Sequence, residues 1–105
     1  MLTLREISNE LLELQVCTSE RSVGKLFGRS ESWCSSTMAR KREVSVDALL
    51  RFSLHLDRMM KSTLNAIGGE NDPDEKAALQ EGHQALASLK QSVMAEVWSR
   101  VSVES

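Results

Sequence analysis

Between Ser30 and Arg42 the chain reads SESWCSSTMARKR, with four serine hydroxyls, one carboxylate and three consecutive cations. No base is spaced to activate a hydroxyl, so this set is suited to recognition rather than to bond making. Hydroxyls donate to and accept from base edges, and Lys or Arg neutralises phosphates. A helix over Glu31–Lys41 turns Cys34 inward, with Thr37 or Met38 a turn later. Its outer face then carries Glu31, Ser32, Ser35, Ser36, Ala39 and Arg40. Such small polar residues let a helix sink into a major groove, so Glu31, Ser32, Ser35, Ser36 and Arg40 are the candidate base contacts. Glu31 has a second reading, as a first-turn acid that suits the helix dipole. Trp33 reads more simply as part-buried core than as a DNA contact.

Other chemistry lacks its residues. There is no phosphate-binding glycine loop, no HExxH, no Ser-His-Asp order and no paired-carboxylate signature, which argues against an enzyme. Cys17 and Cys34 form no CxxC, and His55 and His83 lie far apart, so neither a metal nor another cofactor is expected. Unpatterned cysteines, a start (MLTLREISNE) without the order of a signal peptide and no apolar run of about 20 residues favour a cytoplasmic protein off the membrane.

The elements that must position residues 30–42 are legible in small residues. Gly24 and Gly28 stand four apart, on one face and at the end of a short helix over Ser19–Phe27. A bare Gly24 allows a second helix to cross closely, and Gly28 can take positive φ as a C-cap. Ser19, Ser30 and Ser45 each precede a helical pattern and are expected to cap it.

The run SVGKLFGRSESWCSSTMAR, followed by REVSVDALLRFSLHL, resembles the Cro/C1-type (lambda-repressor-like) helix-turn-helix family. Gly24 and Gly28 match its small residue and turn glycine. Ser30 matches the opening of its recognition helix, and Ser45, Val46, Asp47, Leu49 and Leu50 match the start of its next helix. Arg29 and Thr37 stand where the family is usually apolar, and Trp33 and Met38 are expected to supply that burial. The resemblance implies a first helix crossing the DNA backbone and a second in the major groove. Ser19, Arg21, Lys25, Arg29, Lys41 and Arg42 are then the candidate phosphate contacts.

Net charge is −2. Residues 18–61 nevertheless hold nine Lys/Arg against five acids, and residues 68–105 hold three against seven. A basic surface beside an acidic tail suits a site-specific binder better than a general DNA coater. Residues 2–16 have a helical period through Leu4, Ile7, Leu11, Leu12 and Leu14. Val46 to about Ile67 is a long helix whose core face is Val46, Leu49, Phe52, Ser53 and Leu56. Leu50, Leu54, Met60, Leu64 and Ile67 extend beyond that face and require a cover. GGENDPD, residues 68–74, is a linker, with Asp72 as the cap of a last helix over about 74–101. Residues 102–105 are expected to fray.

The expected fold is all-α, a lambda-repressor-like helix-turn-helix bundle over residues 1–67 with an additional C-terminal helix over 75–101. Leu79, Leu86, Leu89, Val93, Val97 and Trp98 form a stripe that serves a homodimer, or else covers the long helix within the chain. The expected function is a homodimeric transcriptional repressor on an inverted repeat in double-stranded DNA, acting sterically, with its own operon among the candidate targets. The alternative is a helical protein–protein adaptor, such as an antitoxin or anti-activator.

Overall fold

The computed structural model describes residues 3–40 and 43–104. Lys41 and Arg42 lie outside the described residues. Among the described residues there are five helices and no strand: α1 (Leu4–Glu13), α2 (Glu20–Leu26), α3 (Trp33–Ala39), α4 (Val46–Gly69) and α5 (Pro73–Glu104).

Side-chain caps fix four of the five starts. Thr3 Oγ1 accepts from the Glu6 N–H at 3.2 Å, Ser19 Oγ from Ser22 at 3.4 Å, and Ser45 Oγ from Ala48 at 3.2 Å. Asp72 Oδ1 accepts from the Asp74 N–H at 3.0 Å, with Pro73 in the first turn, where a missing N–H costs nothing. The fifth start differs from expectation. α3 begins at Trp33 rather than Glu31, and its N-cap, Ser32, makes no side-chain capping bond. Ser30 contributes its carbonyl instead, accepting from the Trp33 N–H at 3.2 Å, so residues 30–32 form a turn.

α1 and α2 end in the same way. The Gln15 N–H reaches Leu12 O and the Val16 N–H reaches Leu11 O, while Gly28 reaches Lys25 O and Arg29 reaches Gly24 O. These are two Schellman closures, with the residue after the cap in the left-handed region: Gln15 at φ 60° and Gly28 at φ 71°. α1 therefore stops at Glu13, shorter than the periodic stretch 2–16, and Leu12 points outward.

The core gathers on α4. Phe27 of α2 stacks on Phe52 of α4 with ring centroids 4.4 Å apart, and Trp33 leans on Phe27 at 5.1 Å. Ile7, Leu11, Val23, Cys34, Ala48, Leu49 and Leu56 close around them. Thr37 is buried and Met38 half-buried, so the expected burial on α3 is supplied. On α4 the inward residue of the first turn is Ala48, with Val46 only part-buried against the cluster.

α5 runs back along α4. The linker is shorter than its composition suggests, because Gly68 and Gly69 belong to the last turn of α4 and only residues 70–72 connect the helices. Glu70 Oε1 tightens that corner by accepting from the N–H groups of Asn71 and Asp72. Leu86, Leu89, Val93 and Val97 are buried in the same core as α1–α4. Four of the six residues expected at a dimer interface are thus covered within the chain, because the tight corner forces α5 antiparallel onto α4. Leu79 is half-buried and Trp98 exposed. Leu50, Leu54 and Leu64 stay exposed. α5 stays helical to Glu104 rather than fraying at 102. No helix among the described residues is long and apolar enough to cross a membrane.

Candidate nucleic-acid interface

The α2–α3 corner is closed by backbone contact. A Cβ built on Gly24 would lie 2.5 Å from the Ser30 carbonyl oxygen, so only glycine lets residue 30 approach α2. That contact and the left-handed Gly28 turn the chain sharply between the two short helices. Cys34 and Thr37 become the buried side of α3, while Ser32, Ser35, Ser36 and Arg40 face solvent.

The outward residues line two clefts, one on each side of α3. An open cleft of about 740 Å³ is lined by Ser19, Glu20, Arg21, Glu31, Ser32 and Ser35, and joins the starts of α2 and α3. A smaller one, about 260 Å³, is lined by Trp33, Ser36, Thr37, Arg40, Glu43 and Ser45. The structure therefore brings Ser19 and Arg21 beside Glu31, Ser32 and Ser35, and sets Ser36 and Arg40 together on the far side. Ser35 Oγ donates to the Ser32 carbonyl at 3.4 Å, a weak local bond that leaves its lone pairs available.

Three of the sequence candidates are engaged in ion pairs. Lys25 Nζ lies 3.3 Å from Glu31, which sits in the turn ahead of α3 rather than on the helix. Arg29 reaches Asp47 at 3.3 Å, and Arg51 shares that carboxylate at 3.1 Å. Both pairs are solvent-exposed, so each costs little to open and the cations can be lent to another anion. The Asp47–Arg51 spacing of four was readable on a helix; the reach of Arg29 across the turn was not. Glu20 and Glu43, which place acids in the two clefts, were also missed.

Two buried, free cysteines lie behind this face. Burial raises the Cys17 thiol pKa above its ordinary value. Burial first, then the Glu20 carboxylate, raises that of Cys34 against an opposing hydrogen bond with Ser8, and Cys17 adds to the rise. Both thiols stay protonated near neutral pH, which makes them poor nucleophiles and poor metal ligands. Among the described residues no cluster of His, Cys, Asp or Glu is arranged to hold a metal ion.

The smaller cleft is supported from a distance. Arg100 of α5 donates to the Val44 carbonyl, in the segment between α3 and α4, and pairs with Glu96 at 3.0 Å. The end of α5 thereby holds the strand of chain that leaves α3 beside Glu43 and Ser45.

No curated protein and no solved structure matches this chain. A family model described as a family of unknown function (DUF6626) matches residues 4–102, and the chain belongs to that family.

Proposed function

We propose that this protein is a sequence-specific DNA-binding transcriptional regulator, built as a lambda-repressor-like helix-turn-helix with an added C-terminal helix. In this reading it acts as a homodimer on an inverted repeat and represses by steric occlusion, most simply at its own operon. One observation carries the reading: a glycine-tight corner turns a short helix so that its hydroxyls and Arg40 face outward while Cys34 and Thr37 anchor it. α3 enters the major groove, Ser32, Ser35, Ser36 and Arg40 meet base edges, and Ser19 and Arg21 at the start of α2 hold phosphate. Lys25 and Arg29 exchange Glu31 and Asp47 for phosphates on binding. Lys41 and Arg42 extend the same phosphate track in the sequence.

The test is retention of DNA from upstream of the protein's own gene across a salt series, with unrelated DNA as competitor. Specific retention that falls steeply with salt is expected. Ser35→Ala and Arg40→Ala should each weaken specific binding about tenfold, in line with roughly 1–3 kcal/mol per base contact, with unchanged thermal melting. If both leave affinity intact, α3 is not the reading helix.

A second reading, an adaptor that binds another protein, is favoured by Glu20 and Glu31 in the larger cleft, where they repel phosphate. Absence of any DNA retention at low salt would select it.

A further inference from the structure

α5 has a second face that its packing on α4 does not use. From Gly82 to Ser102 its fully charged residues are Lys90, Glu96 and Arg100, and each is committed within the chain. Lys90 bonds Asp57, and Arg100 bonds Glu96 and Val44. What faces outward over these residues is Gln, Ser, Ala, Val and Trp, with Ala87 and Met94 half-buried beside them. A solvated helix face ordinarily carries charge, and charge depletion around an exposed aromatic residue marks the middle of a protein interface.

The residues are also in register. Gln84, Ala87, Gln91, Met94, Trp98 and Val101 alternate spacings of three and four, the repeat of a helix–helix seam. Leu86, Val93 and Val97 of the core stripe each precede one of these residues, so the seam lies about 100° around the helix from the core. Trp98 is 65% exposed and Val101 41%. The Asp57–Lys90 pair fixes which edge of α4 adjoins this seam. Leu54 and Leu50 lie three and seven residues before Asp57, on its side of α4, and are 57% and 41% exposed. Leu50 and Leu54 therefore lie on the same side of the α4–α5 hairpin as the seam, towards its open end.

We infer that this face, the Gln84–Val101 seam of α5 with Leu50 and Leu54 of α4 at its edge, is where a second copy of the chain docks, α5 against α5. A two-fold interface sets one patch against itself, so a charge near the axis would meet its own copy. The seam carries no charge there, which suits self-association, whereas a basic or acidic partner would find nothing complementary on it. Area agrees. The seam is about 27 Å long at 1.5 Å per residue, and two helices wide it covers roughly 540 Å², close to the roughly 600 Å² per partner at the low end of stable interfaces. The inference rests on the homodimer in the proposed function and gives it a surface other than the stripe that α4 covers.

Sedimentation equilibrium of the full chain without DNA tests it. The wild type should be dimeric at tens of micromolar. Trp98→Glu should weaken association at least about 100-fold, because the lost contact counts twice across a two-fold axis. Its helical circular dichroism should be unchanged, since Trp98 is exposed. Gln91→Lys, a second exposed seam position, should act the same way, and Asn9→Glu on α1 should not. A monomeric wild type overturns the inference, and so does a dimer that survives both seam variants. Neither result touches DNA binding, which is read separately: a monomer that still retains DNA leaves the DNA reading standing, and a dimer that ignores DNA leaves this one standing.

Discussion

The Ser30 carbonyl oxygen occupies the space a side chain on residue 24 would need, 2.5 Å from where the Cβ of an alanine would sit. An alanine within a helix is ordinarily worth up to about 1 kcal/mol over glycine. Here the neighbour is backbone and cannot swing aside, so α3 must move away from α2. Gly24→Ala is expected to destabilise the protein by about 2 kcal/mol, the scale of overpacking a tight contact. Urea unfolding would measure it, and a stabilised variant would show that α3 can yield at this corner without cost.

Gln15 offers the opposite case. It takes φ 60° in a closure where α2 uses Gly28 at φ 71°. A side chain in the left-handed region costs roughly 1–2 kcal/mol, part of which glycine loses again through the greater freedom of its unfolded chain. Gln15→Gly should therefore raise stability by about 0.5–1 kcal/mol. Gly28→Ala should lower it by at least as much, because its Cβ would also press on Arg51 Cδ at 3.1 Å. Paired melts of the two variants, shifted in opposite directions, are the expected result.

These two corners show which parts of the fold the sequence disclosed. Caps at Ser19, Ser45 and Asp72 were legible because a cap is a local bond between neighbours, and the closure at Gly28 was legible because glycine advertises it. Gln15 gave no such signal. The start of α3 was misplaced because the Ser30 backbone is held by α2, a tertiary contact that overrides a capping serine. The stripe through Leu86, Leu89, Val93 and Val97 announced that something covers it, but periodicity cannot say whether the cover is α4 or another chain. Of the candidate site, the outward face of α3 was legible from its pattern of small polar residues. The ion pairs that engage Lys25, Arg29 and Glu31 were not, because they depend on how closely the corner folds.

Arg100 and Val44 are 56 residues apart, and their contact is the link between α5 and the segment leaving α3. The Arg100 and Glu96 side chains are only 18% and 11% exposed. Removing the guanidinium leaves a largely buried carboxylate without its partner and a carbonyl without its donor. Arg100→Met keeps the stem and should cost about 3 kcal/mol, the low end of the range for breaking a buried pair. Glu96→Gln on top of it removes the stranded charge and should return part of that loss, while the Val44 carbonyl stays unsatisfied. Amide hydrogen exchange locates the effect. If α5 steadies the segment beside α3, Arg100→Met should speed exchange at residues 43–45 more than in α1. Uniform acceleration would mean that Arg100 contributes only to global stability and does not hold that segment in place.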